Sequence, residues 1–252
     1  ILSSATLAAA TAALLLGALV LPLWVLQPLM MDQYIYIYVG KTILAGGAPY
    51  LDAWEHKGPL LHVLYALVLW LGGEDSALAV RLADTGFTLL ALLLVWRALN
   101  GRGLKLEAWL AVALIILFTP FTVVSMAQGD SWSAYLAVVL ALLVLQPVQS
   151  NRPAFLAGLV QGAALCIKPT TVFYSLAALA AWGRNPQRYR LFAAYAAGCA
   201  VLPVVLLLWL ASKGALGAWW DAYVLFNTQQ HAPEQVVPWW YFLRYPADGW
   251  GM

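Results

Sequence analysis

Long apolar stretches separated by short polar ones dominate the chain. Apolar runs over residues 6–29, 77–99, 108–127, 132–146 and 191–211 reach or approach the roughly 20 residues that a membrane-crossing helix needs. Two shorter apolar pieces, 154–167 and 170–182, are joined by Lys168-Pro169, and a proline at the joint removes a helix donor and favours a break there. The run 59–73 falls short of a full span and carries His62, so it is expected to lie along the membrane or dip into it. Pro22 and Pro28 are expected to kink the outer end of the first span. The pattern predicts an all-α polytopic transmembrane helical bundle of about seven spans, with a juxtamembrane helix in the first outer loop. It reads as a single domain over 1–252, with outer loops at 32–76 and 213–252.

Composition narrows the class. At 63% hydrophobic and 10% charged, with a mean hydropathy of +0.80, the chain departs from the roughly 45–50% apolar and 25% charged usage of soluble domains. The net charge of +2 is small and the basic residues sit between apolar runs, which excludes nucleic acid as a partner and points to membrane lipids. Cys166 and Cys199 lie in apolar segments with no spacing suited to a metal or a disulfide framework, so both read as packing residues. The chain opens at Ile1 with no basic residue before its first span and breaks off in an aromatic run. A cleavable signal is therefore not expected, and the sequence reads as the N-terminal part of a longer protein. No internal repeat or linker marks a second domain.

Charge distribution suggests a topology, because cytoplasmic loops are enriched in Lys and Arg. If 59–73 does not cross, Arg97, Arg102, Lys105, Arg152, Arg184, Arg188 and Arg190 share one side, and every acid except Glu107 falls on the other. The carboxylates then gather on the outer face, where they suggest a polar cavity. The longest polar interruption, Asp32 to Leu60, lies on that face. It holds Asp32, Lys41, Asp52, Glu55, His56 and Lys57 among Tyr34, Tyr36, Tyr38, Tyr50 and Trp54.

Candidate chemistry follows from residue type and place. Asp32, at the mouth of the first span, is positioned to take a proton, the alternative being a solvated helix-end carboxylate. Asp130 has the same two readings, the second as the N-cap of a helix starting at Ser131. Lys57 and Lys168, each at the polar end of a helix, can face a phosphate as point charges or snorkel to headgroups. Arg81 and Asp84, three apart on one helix, suit a mutual pair. Asp52, Glu55 and His56 offer oxygen and imidazole ligands to a divalent cation, with a hydrated loop as the alternative; no other cofactor is indicated. Trp219, Trp220, Tyr223, Trp239, Trp240 and Tyr241 fit an interfacial belt.

Taken in order, these segments resemble the GT-C membrane glycosyltransferases, in the branch of the protein O-mannosyltransferases and the lipid A aminoarabinose transferase. Asp32 and Tyr36 match an Asp-Glu-x-x-Tyr-like motif, with Gln33 at the second acid. Gly46 or Gly47 with Pro49, Tyr50 and Asp52 match Gly-x-x-Pro-Tyr-x-Asp. Lys57, Pro59 and Leu60 match Lys-Pro-Pro-Leu, with Gly58 for a proline. Arg81 after Gly72, Asp130, AGLVQGAALCIKPT with Lys168, and GALGAWWDAYVLFN with Tyr223 and Asn227 extend the likeness along nearly the whole chain. The resemblance implies inverting sugar transfer from a polyprenyl-phosphate-linked donor, at the outer face of a bacterial inner membrane. It implies Asp32 as general base, Asp130 as a second site carboxylate, and Lys57 and Lys168 on the donor phosphate. Tyr36, Tyr50, Asp52, Tyr223 and Asn227 are then expected to bind substrate. Two other classes stand against it: a non-catalytic GT-C-like subunit acting as scaffold with partner proteins in a membrane complex, and, more weakly, a transporter, for which no inverted pair of broken helices is visible.

Overall fold

A computed structural model describes residues 3–26, 28–73, 77–118, 127–145 and 151–231. All regular structure among them is helical: α1 Ser4–Leu26, α2 Met31–Leu44, α3 Pro59–Gly72, α4 Ala77–Asn100, α5 Lys105–Phe118, α6 Gly129–Val144, α7 Asn151–Leu165, a 3-10 helix Pro169–Tyr174, α8 Ser175–Trp182, α9 Arg188–Ser212, α10 Leu216–Trp219 and a π-helix Trp220–His231. Three of these, α1, α4 and α9, are long and apolar enough to cross a membrane. At 1.5 Å per residue, the 16 residues of α6 rise about 24 Å, short of the roughly 30 Å hydrocarbon layer. The seven expected spans thus resolve into three helices of spanning length and several shorter ones.

Helix edges follow the apolar runs, and the break at Lys168-Pro169 is present, with α7 ending at Leu165 and the 3-10 helix opening at Pro169. Pro22 lies inside α1, whereas Pro28 lies beyond its end. The polar stretch after α1 is less open than expected, since its first third folds as α2. That helix buries Gln33, Tyr36, Ile37, Val39 and Gly40 on one face, and tertiary packing of this kind supplies most helix stability in proteins.

Two packing units stand out. In one, α1, α4 and α5 join through Ala13, Leu92, Val112 and Ile116. In the other, α7 and α9 cross closely because a Cβ on Gly158 would stand 2.1 Å from the Tyr195 carbonyl oxygen, and one on Gly162 2.5 Å from that of Cys199. This Gly-x-x-x-Gly spacing is the small-residue pattern that lets membrane helices touch. Between the units, Tyr36, Leu61, Tyr65, Leu69, Val80, Trp132 and Ile167 form a core.

Polar side chains buried within the helices are held by specific partners. Asp84 accepts hydrogen bonds from Trp132 Nε1 at 2.9 Å and the Tyr135 hydroxyl at 3.4 Å, and Arg81 reaches back to the Pro28 carbonyl. The two residues, expected from their spacing to pair with each other, thus bond to other elements and tie α4 to α6 and to the α1–α2 connection.

Candidate functional site

The turn that follows α2 is built by local rules. Gly46, with φ of +89°, ends the helix, and the amides of Gly46 and Gly47 cap the carbonyls of Ile43 and Thr42 at 3.0 and 2.9 Å, the Schellman arrangement. Asp52 Oδ2 then accepts the Ala48 amide at 2.8 Å, and Tyr50, at φ +71°, turns the chain inward. A tyrosine in that region is strained, and it is held by burial against Leu210, Ala215 and Ala222 and by its hydroxyl, which donates to the Lys57 carbonyl at 2.7 Å.

That turn delivers Lys57 to the end of α7. The Gly58 amide donates to the Ile167 carbonyl at 3.1 Å and the Leu60 amide to the Cys166 carbonyl at 3.0 Å. Contact is so close that a Cβ on residue 58 would stand 2.1 Å from the Cys166 oxygen. Glycine here is a requirement of the fold, because a proline would lack both the room and the amide hydrogen.

One residue further on, Lys168 pairs through Nζ with Asp130 Oδ1. Its backbone is fixed by Thr171, whose hydroxyl donates to the Lys168 carbonyl at 2.7 Å. Buried Gln161 holds the Thr171 carbonyl in turn, at 2.9 Å. Asp130 lies in the first turn of α6, where the helix dipole favours an anion. Its expected role as an N-cap is corrected by the helix start: the cap position is Gln128, whose amide is satisfied by Ser131 Oγ at 3.1 Å.

Glu55 is the centre of the enclosed part of the cluster. It is 5% exposed and accepts the Lys57 amide on Oε2. Its Oε1 is 3.2 Å from His56 Nδ1, and its Oε2 is 3.5 Å from Nε2 of His62, a fully buried residue. Burial pushes the Glu55 carboxyl up to about 7, against the pull of the Lys57 amide and charge, and pushes His62 down to about 3. Burial thus opposes the charge on both groups: His62 is neutral near pH 7, while Glu55 is poised at the midpoint of its titration.

Tyr36 packs on Tyr65 and His62 with ring centroids 5.3 and 6.3 Å apart. Its buried hydroxyl has no hydrogen-bond partner among the described residues. Burial, then the charges of Glu55, Asp32 and Asp130, hold its proton well above the usual tyrosine range.

Asp32 stands in the first turn of α2, half-buried. Asp52 caps its own turn. Tyr223 donates to the Leu165 carbonyl, and Asn227 Nδ2 to the His56 carbonyl, both at 2.8 Å, so these two dock the π-helix onto the Lys57 loop and the end of α7. Among the described residues no group of three or more His, Cys, Asp or Glu is arranged to hold a metal ion. Trp219 and Tyr223 stack at 5.8 Å, whereas Trp239, Trp240 and Tyr241 lie outside the described residues. Sequence reasoning left Glu55 in a hydrated loop and gave His62 no role. Their signal was the pair of ionisable residues flanking Lys57 at the start of an apolar helix. No family model, curated protein or solved structure matches the chain.

Proposed function

We propose that this chain is a GT-C-like membrane glycosyltransferase that moves a sugar from a polyprenyl-phosphate donor to an acceptor hydroxyl. The observation that carries the reading is the docking of the Gly58–Leu60 backbone onto Cys166–Ile167, which brings the Lys57 loop beside the residue pair Lys168–Asp130. Two ammonium groups beside carboxylates suit this reaction. The acceptor oxygen attacks the anomeric carbon and its proton passes to the Asp32 carboxylate. The bond from that carbon to the phosphate oxygen breaks, and its electron pair stays on the phosphate, where Lys57 and Lys168 stabilise the charge. Attack opposite the leaving group inverts the anomeric centre.

In this reading α5, α6, α7 and the 3-10/α8 pair are further crossings beside α1, α4 and α9, and α3 lies in the outer polar layer of a bacterial inner membrane. The separation of basic residues from carboxylates supports it. Impermeant thiol labelling of Asp32→Cys and Arg102→Cys is expected to mark them from opposite sides, and labelling from the same side overturns the topology.

Transfer assays with radiolabelled polyprenyl-phosphate sugars test the reaction. Asp32→Asn is expected to abolish turnover while leaving donor binding largely intact, and turnover equal to wild type would sink the assignment of the base.

A further inference from the structure

Lys57 does not extend alone into the site. Its Nζ lies 2.9 Å from His56 Nε2, and His56 Nδ1 lies 3.2 Å from Glu55 Oε1. An ammonium can only donate, so Nε2 must be the bare nitrogen of the ring and Nδ1 must carry the hydrogen, which Glu55 accepts. Glu55 is in turn fixed by the Lys57 amide. The imidazole is clamped by the Asn227 bond to the His56 carbonyl, by Phe226 with centroids 5.2 Å apart and by Trp54 at 6.0 Å. The charged and titratable groups acting here are Glu55 and Lys57 of the loop, His62 of α3 and Asp32 of α2.

From this geometry we infer that Glu55 and His56 are positioning residues for the Lys57 ammonium, forming a carboxylate–imidazole–ammonium relay. The inference rests on the transferase reading and deepens it by naming what aims one of the two phosphate-facing cations. A lysine on a flexible stem loses rotamer freedom when it must meet a phosphate. A neutral imidazole acceptor holds one of its three N–H groups in advance and leaves two for phosphate oxygens. Glu55 fixes the tautomer that makes this possible, in the way a second carboxylate orients a histidine at many sites.

Two measurements on the full chain in detergent test the relay. In ¹⁵N–¹H correlation spectra His56 is expected as the Nδ1–H tautomer, shifting toward Nε2–H in Glu55→Gln. A short-chain polyprenyl phosphate is expected to bind about tenfold more weakly to His56→Ala, the loss typical of a hydrogen bond to a charged group. His56→Gln, which restores an acceptor, is expected to recover most of the affinity, and His56→Ala is expected to cost nothing further in a Lys57→Met background. An Nε2–H ring in the wild type overturns the relay, as does a loss from His56→Ala that keeps its full size without Lys57. Failure of the wild type to bind any polyprenyl phosphate would overturn the transferase reading instead, while the tautomer spectrum still judges the relay.

Discussion

The corner made by α1, α4 and α5 and the cluster around Glu55 differ in what they enclose. The first surrounds a groove of about 480 Å³ lined by Ala13, Gly17, Leu89, Leu93, Trp96, Trp109 and neighbouring residues, with no charged side chain among them. The second buries a glutamate and a histidine side by side and closes over them with a backbone turn. An apolar groove satisfies itself by packing or by lipid, so it says little about chemistry. Buried ionisable groups are costly and persist where function or a specific network keeps them. The contrast supports the proposal that any chemistry lies at the Glu55 cluster, with the α1–α4–α5 corner as support.

The largest effect is expected from Gly58→Val. Its side chain would meet the Cys166 carbonyl, where even a Cβ stands at 2.1 Å, and the two backbone bonds that hold Lys57 beside Lys168 would part. Overpacking of this kind costs about 1–3 kcal/mol or more. Thermal unfolding should show that loss, and lipid-phosphate binding should vanish. A stable variant that still binds donor would show that the docked loop is not what builds the site.

The buried pair should next give the polar end its own pH signature. Glu55 sits at about 7 in the fold, above the ordinary glutamate range, so its ionisation costs stability above pH 7 and that cost is relieved as pH falls toward 4.5. His62 sits at about 3, below the ordinary histidine range, so the unfolded chain takes up its proton first and acid destabilises the fold below about pH 6.5. The two slopes oppose one another in the wild type. Glu55→Gln should therefore lose stability between pH 7.5 and 5, by about 1–2 kcal/mol, and His62→Leu should gain it over the same range. Unfolding in detergent at the two pH values checks the opposite signs.

The smallest effect is expected at the apolar corner. Leu93 lines the groove and is 45% exposed, so Leu93→Ala should change stability by less than about 1 kcal/mol and leave donor affinity unaltered. A large loss of donor binding there would dissolve the distinction between the two regions.

Much of the helical layout was legible because apolar runs and the Lys168-Pro169 break are local signals. Helix α2 was not, since its aromatic, charged residues read as a loop until Tyr36, Ile37 and Val39 found a core to pack against. The close crossing of α7 and α9 was present in the spacing of Gly158 and Gly162, although only the fold shows which helix they meet. At the site, Lys57, Asp130 and Lys168 stood out by charge and position. Glu55 beside His62 did not, because that contact depends on the Tyr50 turn folding back onto α3. Tyr223 and Asn227, expected at the substrate, are placed on backbone carbonyls, a use that side-chain type alone does not reveal.

The central claim is that Lys57 and Lys168 meet one lipid phosphate. Titration of a polyprenyl phosphate into the wild type, Lys57→Met and Lys168→Met, at matched folded fraction, tests it most directly. Removing one partner of a desolvated charge pair costs on the order of 2–5 kcal/mol, a loss of roughly thirtyfold or more in affinity. We predict a loss of that size for Lys57→Met. A smaller one is predicted for Lys168→Met, whose ammonium is already paired with Asp130 and partly exposed. Unchanged affinity in both variants would contradict the claim and leave these lysines as headgroup anchors.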